Sequence, residues 1–382
     1  MKYRKFGKLD WKVSALGFGV MRLPVINEDH SNIDEPEAIR MIRYAIDHGV
    51  NYLDSAWNYH NGNSEVLISK ALKEGYRKKV KVATKLPCIE VRSYGDFDRL
   101  LNQQLGRLQA DKVDFYLLHG LNKVEWPKVR DLGVLKWAEG ALSDGRICNF
   151  GFSFHDNYEI FQEIIDAYDN WTLCQIQYNY MDEEVQAGRR GLEYAHKKGL
   201  AVVVMEPIRA GRLANPPEKV ARLWASAPLY RTPQEWALRW VWNHPEVTLA
   251  LSGMSKMEQV VENVAYAEHS QPHNLNENEL ALIRQVRDAY LSLSPTSCTT
   301  CRYCMPCPNG VEIPRVFSLY NDAMIYGDAT RPRKMYSNER MFKSEQRADK
   351  CTKCEICLEK CPQQLPIPDL LEKAHAFLTA KE

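Results

Sequence analysis

Short apolar runs rich in β-branched residues recur through the first 252 positions, each closed by a polar or glycine-containing turn and followed by a stretch of helical period. The runs are Val13–Val20, Val50–Asp54, Val80–Lys85, Val113–His119, Ile147–Ser153, Leu173–Tyr178, Leu200–Met205 and Val247–Ser252. Amphipathic stretches lie between them, among them Glu37–His48, Ser64–Gly75, Phe97–Gln109, Tyr158–Ala167, Glu184–Lys198 and Thr232–Asn243. Continuous rather than alternating hydrophobicity predicts strands of a parallel sheet buried on both faces. Eight of them alternating with helices predict a closed (β/α)8 TIM barrel. An open doubly wound sheet would also alternate, but its first strand leads into a phosphate-binding glycine turn. Here Gly17-Phe-Gly19-Val-Met-Arg22 puts arginine where the third glycine belongs, and no helical pattern follows directly.

The periodic pattern ends with a helix from Glu277 to Leu291, and Ser292–Ser297, containing Pro295, reads as a linker. Residues 298–382 show no strand alternation, and two cysteine clusters flank a charged, helix-compatible stretch. The expected organisation is a barrel over residues 1–291, the linker 292–297 and a small, mainly helical domain over 298–382. A chain of 382 residues accommodates this, since such barrels take about 250 residues. With 50 Lys and Arg against 49 Asp and Glu, the chain lacks the field that would hold a phosphate backbone or an anionic membrane, so neither nucleic acid nor membrane is an expected partner. The first ten residues lack a signal-peptide core and no apolar run is long enough to span a bilayer, so a cytoplasmic location is expected.

Eight of the 11 cysteines fall after position 297, which makes this region the chemical anomaly of the chain. The first cluster reads Cys298-Thr-Thr-Cys301-Arg-Tyr-Cys304-Met-Pro-Cys307-Pro, the second Cys351-Thr-Lys-Cys354-Glu-Ile-Cys357-Leu-Glu-Lys-Cys361-Pro. The second is the C-x2-C-x2-C-x3-C-P run that wraps thiolates around [4Fe-4S] cubes, while the first has two residues, not three, before its last cysteine. Two-residue spacers turn successive sulfurs into one cavity, and the proline stops a helix from running through the ligand loop. Structural zinc is the competing reading, because C-x2-C pairs also build four-thiolate sites. Disulfides fit a cytoplasmic chain poorly. Cys88, Cys148 and Cys174 sit in or beside strand candidates and read as small core residues.

In a (β/α)8 barrel the C-terminal strand ends line the active site. Three consecutive ends carry suggestive groups: Asp54 and Tyr59 after the second run, Lys85 at the end of the third, and His119 at the end of the fourth. Singly, each has a bland role as a helix cap, rim residue or satisfied wall residue. Together they suit carbonyl reduction. A carbonyl accepting hydride develops negative charge on oxygen and needs a proton donor there. Tyrosine is a poor donor at its ordinary pKa of about 10, a nearby ammonium lowers that value, and a buried carboxylate keeps the ammonium charged. On this reading Tyr59 donates, Lys85 tunes it, Asp54 holds Lys85 and His119 orients the carbonyl. A Schiff-base role for Lys85 is the narrower alternative.

These pieces, Leu53-Asp54-Ser-Ala…Tyr59 with Gly62-Asn-Ser64-Glu65, Ala83-Thr-Lys85, Asp114-Phe-Tyr-Leu-Leu-His119, Gly151-Phe-Ser153 and Gly253…Glu262-Asn263, resemble the aldo-keto reductase family over residues 1 to about 290. The resemblance implies an extended nicotinamide cofactor, NADP(H) or NAD(H), across the barrel mouth, and a small carbonyl or alcohol substrate. By position, Ser153 and Gln175 resemble the residues that hold the carboxamide, with Phe154 where asparagine is common, and Met205 stands where an aromatic ring often stacks on the nicotinamide. Met205-Glu-Pro207-Ile-Arg-Ala-Gly211 resembles the pyrophosphate loop, and Glu262 and Asn263 resemble adenine contacts. Gly253 and Gln259 occupy two positions where NADP-preferring members place basic groups, and Lys256 and Arg212 are candidate substitutes. Trp57, Phe154, His155, Tyr178 and Tyr180 are candidate pocket walls.

The C-terminal region resembles a two-cluster ferredoxin domain of the α-helical kind. That resemblance implies two [4Fe-4S] clusters in a crossed arrangement, Cys298, Cys301, Cys304 and Cys361 on one and Cys351, Cys354, Cys357 and Cys307 on the other. Three functions remain open at this point: carbonyl chemistry with the clusters as a structural unit, reduction linked to a soluble electron-transfer partner, and a nucleotide-sensing module whose clusters report redox state.

Overall fold

The structure, a computed structural model, describes residues 1–380. The chain forms two compact units, one of Met1–Ala214 with Arg231–Leu280, the other of Asn215–Tyr230 with the chain from Ala281 onward.

In the first unit an antiparallel hairpin, β1 (Tyr3–Lys5) and β2 (Lys12–Ser14), precedes eight strands: β3 (Leu16–Gly19), β4 (Tyr52–Asp54), β5 (Lys81–Leu86), β6 (Phe115–Leu121), β7 (Phe150–Phe154), β8 (Leu173–Gln177), β9 (Ala201–Met205) and β10 (Leu249–Gly253). Neighbours pair in parallel in chain order and β10 pairs with β3, closing the barrel. The expected run Val13–Val20 is thus two strands. Its one polar residue marks the break: the Ser14 hydroxyl donates to the Leu16 carbonyl at 2.7 Å and its amide donates to Asn51 Oδ1 at 2.8 Å. Phe6 and Val13 then join Tyr52, Ala83, Phe115, Leu117, Leu173 and Leu249 in a plug that fills the barrel floor. Full burial of the larger of these side chains, such as Phe6, Val13 and Leu117, contributes about 1.5–3 kcal/mol each. Gly151 permits the close approach of β7 to β8, since a Cβ there would lie 2.5 Å from the Leu173 carbonyl oxygen.

The helices of this unit are α1 (Glu35–Asp47), α2 (Asn63–Ala71), α3 (Gly95–Leu108), α4 (Glu125–Asp131), α5 (Val134–Ser143), α6 (Tyr158–Asp166) and α7 (Gly188–Lys197), then, after α8 (Glu218–Ala225) of the second unit, α9 (Pro233–Trp242) and α10 (Met257–Tyr266). Helices α4 and α5 escaped the hydrophobic pattern. Gly133, at φ +89°, breaks what is one crossover into two short pieces, and only Val134, Trp137, Ala138 and Ala141 mark the buried face of α5.

Helix α11 (Glu277–Leu291) runs across the boundary between the units. The second unit continues with α12 (Ile313–Tyr326), α13 (Thr330–Ser337), the single turn α14 (Ile356–Glu359) and α15 (Ile367–Thr379), and has no strand among its described residues. Helix α12 starts with Pro314 in its first turn and stops at Gly327, left-handed at φ +63°. Its buried Val316, Phe317 and Leu319 meet Ile367, Leu371, Ala374 and Leu378 of α15, and six of the eight clustered cysteines pack against this core.

Candidate active site and cysteine-lined cavities

The three consecutive strand ends singled out above stand side by side at the C-terminal end of the barrel. Asp54 ends β4, Lys85 lies near the end of β5 and His119 lies in β6. Asp54 and Lys85, each 1% exposed, form an ion pair. Lys85 Nζ also donates to the Ser55 carbonyl at 2.6 Å, while Asp54 accepts from the Gln175 amide and, at 3.4 Å, from the Tyr52 hydroxyl. Such a pair costs much desolvation and persists only where each charged atom has several partners, as here. Burial works against the Lys85 ammonium, yet the adjacent Asp54 carboxylate holds its pKa above the ordinary value.

Lys85 Nζ lies 5.1 Å from the Tyr59 ring centroid, and the His119 ring meets that ring edge to face at 6.0 Å. Burial raises the Tyr59 pKa, and Lys85 pulls it back only in part. The sequence expectation of a net lowering is therefore corrected: Lys85 offsets a desolvation cost that a sequence does not display. Burial, followed by the Lys85 charge, lowers the His119 pKa to about 3, so its imidazole is neutral at physiological pH. Tyr59 opens a tight turn through His60 and Asn61, both left-handed. His60, which the sequence reading passed over, pins that turn, accepting from the Leu23 amide at 3.3 Å and meeting the His30 carbonyl at 2.8 Å.

The remaining predicted contacts lie on the next strands of the ring and the segments that follow them. Ser153 in β7 accepts from the Gly120 amide at 2.8 Å. Gln175 in β8 commits its amide nitrogen to Asp54, which leaves its buried Oε1 without a hydrogen-bond partner. That orphaned acceptor suits the amide group of a carboxamide. Met205 ends β9, and Pro207 and Gly211 belong to the turn that follows, with Gly211 at φ +92°. Gly253 ends β10, where a Cβ would meet the Arg22 side chain at 2.9 Å. Lys256 is exposed at the start of α10. Gln259 Oε1 caps that helix through the Ser255 amide at 2.8 Å, exposed Glu262 accepts from Gln234 at 3.3 Å, and buried Asn263 donates to Ser252 at 3.1 Å.

Of the candidate pocket walls, Tyr178 and Tyr180 are buried against Trp240 of α9 and serve packing. Phe154 is likewise buried, against Phe161 of α6, whereas Trp57 and His155 are partly or fully exposed. A cavity of about 930 Å³ at the opposite, N-terminal end of the strands is bordered by Trp11, Asn51, Arg77, Lys81 and Asp114 and contains none of the predicted site residues. Asp114 there braces the barrel, accepting from Arg77 at 2.7 Å and from the Val82 amide at 2.9 Å.

In the second unit, Cys298, Cys301, Cys304 and Cys361 border one small cavity, and Cys304, Cys307, Cys351, Cys354 and Cys357 border another. The Met305–Pro306 peptide bond within the shorter spacer is cis. Thr300, Arg302, Lys353 and Glu355 between the cysteines are left-handed, which turns the ligand loops tightly. Among the described residues no three His, Cys, Asp or Glu side chains close around the position of a single metal ion; the thiols are instead spread around the two cavities. Burial raises the Cys357 thiol to about 11. A bare thiol there stays protonated, and a cationic iron centre would supply the charge that makes it a thiolate. The donor set and its two-cavity arrangement fit two iron–sulfur clusters.

A closed parallel barrel with a buried ammonium–carboxylate pair beneath a tyrosine at the strand ends, followed by a helical cysteine-rich unit, defines an oxidoreductase class. The aldo/keto reductase family profile matches residues 15–288 and a 4Fe-4S dicluster domain profile matches residues 297–366. The chain belongs to the aldo/keto reductase family. It is similar to the NADH-specific methylglyoxal reductase of Escherichia coli K12, at 24% identity over 337 residues, covering 76% of this chain and 99% of that protein. The probable aldo-keto reductase 1 of Glycine max is 23% identical over 295 residues, covering 68% and 82%. Among solved structures, the holo form of aldo-keto reductase AKR11C1 from Bacillus halodurans superposes with a TM-score of 0.63 at 28% identity, over 75% of this chain and 96% of that one.

Proposed function

We propose that the barrel reduces a small carbonyl compound, or oxidises the corresponding alcohol, with a nicotinamide cofactor. The observation that carries this reading is the Lys85 ammonium held between Asp54 and the Ser55 carbonyl beneath Tyr59, with neutral His119 edge-on to the same ring. When bound, the nicotinamide supplies or takes up the hydride. The protein's part is the proton. Tyr59 donates its hydroxyl proton to the carbonyl oxygen as negative charge develops there, and Lys85 stabilises the phenolate left behind. Neutral His119 offers a hydrogen bond to the same oxygen without adding charge. Ser153 and the free Oε1 of Gln175 would hold the carboxamide, Met205 would lie beside the ring, and Pro207, Gly211, Gly253, Lys256, Gln259, Glu262 and Asn263 would accommodate the rest of the nucleotide. The test is consumption of NADPH or NADH with a panel of aldehydes and ketones. Steady turnover supports the reading, and nucleotide binding without turnover of any member would replace it with the sensing module.

NADP(H) is the proposed cofactor, because Lys256 is exposed at the mouth with no ion pair among the described residues. A hydrogen bond to a charged group contributes about 1.5 kcal/mol or more, near tenfold in affinity. Lys256→Ala is therefore expected to weaken NADPH binding about tenfold and NADH binding less than about twofold. Titration of nucleotide fluorescence measures both, and equal losses would remove the 2′-phosphate role.

For the second unit we propose two [4Fe-4S] clusters, held by Cys298, Cys301, Cys304 and Cys361 and by Cys307, Cys351, Cys354 and Cys357. Bound clusters would supply single-electron transfer to or from a soluble partner. The lining of the two cavities supports the crossed set, with Cys304 bordering both of them. In this scheme Ser292–Ser297 links barrel and cluster domain, and a reducing, cytoplasmic setting keeps the thiols available.

A further inference from the structure

We propose that Glu65 and Arg107 form a strut that sets the spacing of Lys85 and Tyr59, a positioning role that rests on the assignment of those two residues above. Glu65, in the first turn of α2, is fully buried, and both of its carboxylate oxygens are engaged in different directions. One oxygen accepts from the Thr84 hydroxyl at 2.5 Å and from the Gln104 amide at 2.6 Å. Thr84 immediately precedes Lys85, and the same Gln104 amide reaches the Lys85 carbonyl at 3.1 Å. Gln104 is itself held by the Tyr116 hydroxyl at 2.7 Å. This half of the network fixes the backbone that carries the ammonium.

The other oxygen pairs with Arg107 at 3.1 Å. Arg107 donates to the Trp57 carbonyl at 3.0 Å and lies over the Trp57 ring at 3.9 Å, two residues before Tyr59. A Cβ on Gly62, three residues after Tyr59, would come within 3.1–3.2 Å of the guanidinium, so the loop closes on Arg107 at this point too. Beside it Ser55 and Ser64 share a hydrogen bond of 2.9 Å across the base of the loop. One carboxylate therefore joins the strand bearing Lys85 to the loop bearing Tyr59. Arginine suits the second half because a single guanidinium nitrogen, Nη1, donates to both the carboxylate and the carbonyl while the guanidinium plane stacks on an indole; an ammonium offers no such plane.

The test is Glu65→Gln/Arg107→Met in the full chain, which removes both charges and leaves no orphaned ion. A misplacement of about 1 Å at a reacting group costs about 100-fold in rate. The double variant is expected to lose about 10- to 100-fold in kcat, to bind nicotinamide nucleotide within about twofold of the parent, and to show the alkaline limb of carbonyl reduction at higher pH as Lys85 withdraws from Tyr59. Parent-like kcat and an unmoved limb, even with a lowered thermal midpoint, would reduce the pair to a structural role and overturn the proposal. If the double variant does not fold, Arg107→Lys, which keeps the positive charge but loses the plane stacked on Trp57, gives the same reading. Parent-like turnover by Tyr59→Phe would instead defeat the Tyr59 assignment itself, so the two failures are distinguishable.

Discussion

Tyr59→Phe is expected to lower kcat for carbonyl reduction by about 10²- to 10⁴-fold, the range for loss of a positioned general acid. That corresponds to about 3–5 kcal/mol of transition-state stabilisation. Nucleotide affinity should change less than about twofold, because phenylalanine keeps the ring that His119 meets edge to face and that Lys85 approaches. The pH dependence follows from the direction of the shifts. Burial keeps the Tyr59 pKa above its ordinary value, so the phenol retains its proton through neutral pH and reduction should be flat there, falling only as the phenol ionises in strong alkali. Alcohol oxidation needs the phenolate and should rise with pH instead. His119, lowered to about 3, adds no acid limb between pH 4 and 7. Lys85→Met removes the partial pull-back and should move the alkaline limb higher while lowering kcat. Stopped-flow and steady-state profiles of the three proteins check these outcomes, and an unchanged kcat in Tyr59→Phe would end the proton-donor assignment.

The parts of this protein that were legible from sequence are those whose chemistry depends on order along one strand. Eight continuous apolar runs suffice to describe a parallel barrel because both faces of each strand are buried, and Asp54 and Lys85 fall at or beside strand ends, while β6 runs two residues beyond His119 through a break in register. What escaped depends on contacts between residues distant in the chain. Glu65 was visible only as part of a motif, and Gln104 and Arg107 sit on α3 with nothing to distinguish them from ordinary polar positions. Their spacing of three does place both on one helix face, and that was the available signal. Tyr178 and Tyr180 show the converse. They follow a strand end, as pocket walls do, but α9 brings Trp240 over them and the turn after it brings His244 against Tyr178, a tertiary covering that no local pattern announces. The net direction of the Tyr59 shift belongs to the same group, because desolvation is a property of the assembled site.

Loss of iron is expected to undo the packing of residues 298–380. The core there is small, centred on Val316, Phe317, Tyr336, Phe342, Ile367 and Leu371, and Cys298, Cys304, Cys307, Cys351, Cys357 and Cys361 pack directly against it. Cores of this size rarely supply more than about 3–5 kcal/mol unaided, so ligand bonds become folding energy. Cys304, which borders both cavities, is then the most damaging single position, and exposed Cys354 among the mildest. Anaerobically prepared Cys304→Ala should lose most of its iron and acid-labile sulfide, and limited proteolysis should cut within 298–361 at sites protected in the parent. Unchanged protection after iron removal would mean that the helices stand without clusters. Nicotinamide-dependent turnover provides the complementary reading. Hydride moves two electrons together whereas each cluster moves one, so a barrel that works by Tyr59 alone needs no cluster electrons. Cys354→Ala should therefore keep carbonyl reduction with NADPH near the parent rate, and loss of that turnover with intact nucleotide binding would instead place the clusters on the electron path.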